Sequence, residues 1–225
     1  MSVAARLDEV RRRIDRAAEG AGRDPTHVKL VAVSKTKAPE AIREAYAAGQ
    51  RAFGENYAQE LAAKAEALAD LADIEWHFIG HLQTNKAKVA AKHASVVHTV
   101  DSSALAGELG RRAARERATP IPVLIEVNVG GEAQKAGATP GEIDEVMAAV
   151  RAQPSLDLRG LMTVAPAGNT TGARRVFETL ATLRNLHGGV ARLPELSMGM
   201  SDDLEAAVEC GATLVRVGTA IFGAR

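Results

Sequence analysis

The chain has 225 residues, 46% of them hydrophobic, and a domain of this length buries roughly 70 to 75% of its unfolded surface, so one core suffices. Lysine plus arginine and aspartate plus glutamate both total 28, which leaves no overall field to recruit nucleic acid or an acidic membrane. The single cysteine, Cys210, excludes an internal disulfide and reads as a buried apolar filler, and no apolar run reaches the roughly 18 residues of a membrane span. A soluble cytoplasmic protein with one domain over residues 1–225 is expected, without signal peptide and, at zero net charge with no exposed apolar helix, as a monomer.

In chain order, Val3 to Ala18 reads as a helix, with Arg11 to Arg13 as a solvated face. KLVAVSK from Lys29 is a strand, followed by a helix over Pro39 to Ala48; RAFGE from Arg51 is the next strand, followed by a helix over Tyr57 to Leu71. IEWHFIG from Ile74 and SVVHTV from Ser95 are strands, then Ser103 to Ala118 is helical. IPVLIEVNV from Ile121, a helix over Pro140 to Gln153 and LDLRGLM from Leu156 continue the alternation. After a surface loop over Ala165 to Thr171 come a helix over Gly172 to Leu186 and the strands ELSMG from Glu195 and TLVRVG from Thr213.

Eight strands alternating with helices predict an α/β fold, a single (β/α)8 barrel of the TIM type. Only Ala220 to Arg225 follow the last strand, so the N-terminal helix is expected to cover the position of the missing last helix. A doubly wound sheet would carry a glycine-rich fingerprint after its first strand, and SKTKAPE has no glycine.

Barrels of this kind place chemistry at the C-terminal strand ends. That rule selects Lys35, Glu55, Asn56, His77, His81, Asn128, Met162, Thr163, the Ser197–Met198–Gly199 segment, and Arg216 to Thr219. SMGMS and RVGTAIFG combine glycines for close backbone approach with the hydroxyls of Ser197 and Thr219, a composition suited to a phosphate. Asp202 and Asp203, placed in the first turn of the helix after strand seven, leave that anion to Gly218 and Thr219 with Ser197 assisting. Val31, Val33 and Lys35 share one face, which brings Lys35 to the barrel mouth, while Lys37 lies further along the loop. A lysine beside a phosphate pocket suggests imine chemistry with a phosphorylated aldehyde. Lowering its amine from about 10.4 to about 7 or 8 takes about 4 kcal/mol, within reach of desolvation and a cation such as Arg216.

SKTK, FGENYAQE, WHFIGHLQTNK, EVNVGGEAQKAG, RGLMTVAP, LSMGMSDDLEAA and VRVGTAIFGAR together resemble the pyridoxal phosphate homeostasis protein family, single-domain relatives of the alanine racemase N-terminal barrel. The resemblance runs from Leu30 to Arg225. It implies pyridoxal 5'-phosphate (PLP) as cofactor, an internal aldimine on Lys35, phosphate contacts from Ser197, Gly218 and Thr219, and Asn56 beside the ring. Met198 and Gly199 join the cofactor-binding set. It also implies that Arg216 faces the pyridine nitrogen, which leaves that nitrogen unprotonated and weakens the cofactor as an electron sink. Gln134 stands where the family often has a serine before Lys135, and Lys135 reads as a surface residue.

Related racemases add a β-rich domain whose tyrosine is the second base, and no such domain is expected here. A substitute would have to be Tyr57, His77 or His81, each better read as a packing or hydrogen-bonding residue. The expectation is a PLP-binding homeostasis protein, not an enzyme, that holds PLP and delivers it to PLP-requiring apo-enzymes. The alternatives are a low-activity PLP-dependent amino acid racemase or transaminase, a lysine-dependent aldolase for sugar phosphates, and a metal site at His77 and His81 with no third ligand evident.

Overall fold

The computed structural model describes residues 1–131, 136–166, 168 and 170–223. Lys135 and Gln134 lie outside the described residues, as does part of the loop over 165–171.

Eight parallel strands, β1 (Lys29–Val33), β2 (Ala52–Glu55), β3 (Glu75–Phe78), β4 (Val96–Val100), β5 (Ile121–Glu126), β6 (Leu156–Met162), β7 (Glu195–Ser197) and β8 (Leu214–Val217), close into a barrel in chain order. β1 returns to β8 with Ala32 opposite Val217, and to β2 with Ala32 opposite Phe53. The helices around it are α1 (Val3–Gly20), α2 (Pro39–Ala47), α3 (Ala58–Ala67), α4 (Ala87–His93), α5 (Ser103–Glu116), α6 (Ile143–Arg151), α7 (Thr170–Leu186), α8 (Gly189–Arg192), α9 (Leu204–Glu209) and α10 (Thr219–Phe222).

The eight strands stand where the β-branched runs predict them. Helix ends differ where side chains pull the chain inward. α3 stops four residues early because Leu68 turns into the core and Asp70 takes both Arg43 Nη atoms at 2.6 and 2.7 Å. α4 has no counterpart among the expected helices: its buried face consists of Ala87, Ala90 and Ala91, and alanine gives a weak amphipathic signal.

α1 is capped by Ser2, whose hydroxyl accepts from Ala5 N, and it buries Leu7, Val10, Ile14 and Ala18. It packs between α2 on one side and α9 and α10 on the other, filling the place of a full last helix. The arginine run is only partly the solvated face expected. Arg12 is exposed, but Arg11 Nη1 donates to Ala48 O at 3.1 Å and Arg13 donates to both oxygens of Glu205 at 2.6 and 2.9 Å. Half-buried, the two clamp α1 over the gap. Cys210 is likewise only half-buried, packed against the edge of the main core, and desolvation pushes its thiol up.

The main core lies between strands and helices, and a small second cluster of Val31, Ala52, Leu124, Met162 and Leu214 lies inside the barrel. Branched apolar side chains normally fill a barrel of this size. Here much of the interior is polar instead: His77, His98, Glu126, Ser197 and Arg216 are all buried.

Candidate cofactor site

β1 ends in a turn in which Lys37 N donates to Ser34 O at 3.0 Å. Thr36, its third residue, has φ 64°, the one non-glycine at positive φ among the described residues. That region costs a branched side chain about 1–2 kcal/mol, so something must hold it. Lys64 on α3 does. Its buried Nζ donates at 2.8 Å to each of Ser34 O, Glu55 Oε1 and Glu60 Oε2, while Glu60 Oε2 accepts from Thr36 N at 2.7 Å and Ser34 Oγ donates to Glu55 Oε1 at 2.6 Å. Lys35, half-buried at the apex of this braced turn, sits at the C-terminal end of the barrel. Lys37 is turned to the chain's end, with Nζ 3.3 Å from Gly223 O.

The corner after β8 meets the same turn. A Cβ built on Gly218 would lie 3.3 Å from Val33 Cβ and Val33 O, so glycine lets the two backbones approach two residues before Lys35. Thr219 opens α10, where the first N–H groups have no acceptor within the helix. Its Oγ1 lies 3.0 Å from Ser201 Oγ, which also accepts from Ala220 N at 3.4 Å. Gly199, at φ 92°, has its Cα against Ala207, where a Cβ would come within 2.5 Å of the alanine methyl. The expected first-turn aspartates sit just before α9: Asp203 is its cap residue, with Oδ1 accepting from Met200 N at 2.5 Å.

Two expected residues stand elsewhere. Met198 is fully buried in the main core with its N–H given to Leu214 O, which leaves neither side chain nor amide for a ligand. Ser197 is buried inside the barrel, 2.6 Å from Arg216 Nη1 and 2.8 Å from His98 Nδ1. The hydroxyl beside Thr219 is Ser201, in the same SMGMS motif but past the Ser197–Met198–Gly199 segment that the strand-end rule selects.

Arg216 also donates to Thr163 O at 2.9 Å. Burial lowers its pKa to about 10, with Glu126 and Asp203 opposing, so it remains charged at neutral pH. Glu126, at the inner face of the β5 end, is pushed up to about 7 by burial and then by Asp101, with Arg216 offsetting. Its Oε2 and the Oδ1 of Asn56 are buried without a hydrogen-bond partner, two acceptors open to a ligand at the mouth. Gly80 is needed beside Asn56, because a Cβ there would fall 2.2 Å from Asn56 O.

Of the proposed second bases, Tyr57 is half-exposed and His81 lies 3.5 Å from Asp101 with an exposed ring. His77 is not at the mouth; it faces the interior and lines a cavity at the strand starts. No group of three or more metal-ligating side chains converges among the described residues.

Residues 5–225 match the family model of the alanine racemase N-terminal domain. The chain is 47% identical over 226 residues to a pyridoxal phosphate homeostasis protein of Pseudomonas aeruginosa, covering 100% of this chain and 96% of that one. It is 45% identical over 229 residues to the protein so named in Escherichia coli (strain K12), covering 99% and 97%. The chain belongs to the pyridoxal phosphate homeostasis protein family. Among solved structures of similar chains, PipY of Synechococcus elongatus, with PLP bound, superposes with TM-score 0.83 at 39% identity, covering 99% of this chain and 100% of that one. An alanine racemase from Corynebacterium glutamicum shares the fold, with TM-score 0.65 at 22% identity, covering 97% of this chain and 61% of that one. The racemase-domain model thus takes in nearly the whole of this chain, which in turn covers nearly the whole of these two relatives.

Proposed function

We propose that this chain binds PLP at the C-terminal mouth of its barrel and serves intracellular PLP homeostasis as a carrier for PLP-requiring apo-enzymes. The observation that carries the reading is the meeting of the Lys35 turn with the Gly218–Thr219 corner over the buried Arg216. PLP supplies an aldehyde that condenses with a primary amine and a ring whose electron-withdrawing power follows the protonation of its nitrogen. Lys35 Nζ is the amine. The hydroxyls of Thr219 and Ser201, with the backbone at Gly218, hold the phosphate. Arg216, already a donor and charged at neutral pH, has no lone pair with which to take a proton and keeps the ring nitrogen unprotonated. The orphaned Asn56 Oδ1 fits a polar group at the ring edge. Replacing Thr219 with valine and Ser201 with alanine together is expected to weaken PLP binding about 100-fold, or about 2.7 kcal/mol, in a spectroscopic titration.

A second reading, a low-activity racemase or transaminase, rests on Glu126. It is a buried acid at the mouth that titrates near neutrality, the property of a general acid or base. The two readings separate when PLP-loaded protein is incubated with L-alanine in deuterated water. The carrier reading expects no sustained exchange at the α-carbon. Exchange that disappears in Glu126→Gln would replace it with the second.

A further inference from the structure

At the end of the barrel opposite Lys35, the strand starts surround a cavity of about 840 Å³, within the size range of small-molecule sites. Its inner wall is apolar, from Val96, Leu124 and Leu214. One side carries Arg23 and Arg184, each depressed by burial, with Arg184 further depressing Arg23 and no carboxylate offsetting either charge among the described residues. Arg23 already holds Val208 O and Ala212 O, the latter at 2.8 Å, but Arg184 Nε is buried and has no partner. Deeper in, His77 Nε2 is also buried without a hydrogen bond, on a ring 1% exposed. The acids nearby are occupied. Glu75 Oε2 lies 3.6 Å from His77 Nε2, beyond hydrogen-bond length but near enough that His77, ahead of Lys29, holds its carboxyl down to about 2; it also accepts from Lys29 Nζ at 2.7 Å, while Glu195 accepts from Thr213 Oγ1 and Asp157 faces Arg159 at 3.7 Å.

We propose that this cavity is a second ligand site, for a small organic anion with an apolar body: its acidic group between Arg23 and Arg184, and an acceptor oxygen at His77 Nε2. The site is independent of the cofactor reading at the mouth.

Binding there reinforces one direction of a hydrogen-bond chain along the barrel interior. His77 Nδ1 lies 2.8 Å from His98 Nε2, and His98 Nδ1 lies 2.8 Å from Ser197 Oγ, which accepts from Arg216. Desolvation keeps both rings neutral, so each has one N–H and the chain has two possible directions. Glu75 already favours the proton on His77 Nε2, and a ligand accepting there reinforces the direction in which Ser197 donates to His98 and His98 donates to His77.

The test titrates the full chain, labelled with 15N-histidine and with PLP added to saturate the mouth, with 4-acetylbenzoate, 4-acetylphenyl phosphate and inorganic phosphate. Calorimetry gives the affinity and NMR gives the state of each ring nitrogen. The same titrations without PLP keep the result separate from any failure of PLP to bind. Expected are saturable binding of 4-acetylbenzoate or 4-acetylphenyl phosphate, a change in the His77 Nε2 resonance as its N–H gains an acceptor, and an affinity about tenfold lower in Arg184→Gln. The tighter of the two organic probes identifies the acid as carboxylate or phosphate ester. The proposal is overturned if no organic probe saturates by about 10 mM, if Arg184→Gln binds unchanged, or if binding leaves His77 unmoved, as adventitious surface binding of inorganic phosphate would.

Discussion

Lys64→Met is expected to destabilise the unloaded protein by about 3–5 kcal/mol at pH 7, read from urea unfolding. The side chains are nearly equal in volume, so the loss is electrostatic. Glu55 is fully buried, its pKa already raised by desolvation and held down by Lys64 and Ser34; without the ammonium it is a buried carboxylate with one hydroxyl donor. Its folded-state pKa then rises further, so the deficit shrinks as pH falls and is smallest below the ordinary 4.5, where the carboxyl is protonated in both states. Adding Glu55→Gln should recover more than half of the loss. Slower capture of PLP is expected too, because Lys64 also holds Ser34 O and positions the Glu60 carboxylate on Thr36 N. A loss below about 1 kcal/mol would show that the Lys35 turn is braced by something else.

Glu126→Gln should act with the opposite sign. The carboxyl's pKa rises from 4.5 in the unfolded chain to about 7 in the fold. Its contribution to stability is fully present below 4.5 and is lost as pH rises through 7, amounting to about 3 kcal/mol at pH 8. Glutamine fills the same space without that titration. The variant should match wild type near pH 4 and exceed it by up to about 3 kcal/mol at pH 8 in urea unfolding of PLP-free protein. Equal stability at both pH values would mean that Glu126 is ionised in the fold at little cost.

The barrel was legible because its signal is periodic and local: short β-branched runs separated by amphipathic helices mark eight strand starts. Strand parity carried the site part of the way. Val31 and Val33 pointed to Lys35, and the same parity along SVVHTV puts His98 on the face of Val96, a step the sequence reading did not take. Ser201, Lys64 and Glu126 were missed for a different reason. Each is identified by what lies across from it: Thr219 for Ser201, Glu55 and Ser34 for Lys64, Arg216 and Asp101 for Glu126. A buried lysine on a helix and an exposed one have the same local sequence signature. Met198 and His77 show the limit of using strand ends alone, since the side chain of one points out into the helix layer and that of the other reaches the opposite end of the barrel.

The central claim is that Lys35 is the amine that takes PLP. Protein saturated with PLP, reduced with borohydride, digested and examined by mass spectrometry should carry one label, on the peptide containing Lys35, and Lys35→Ala should lose both that label and the visible absorbance. Label on Lys37 or another lysine, or stoichiometric label retained in Lys35→Ala, would contradict the account.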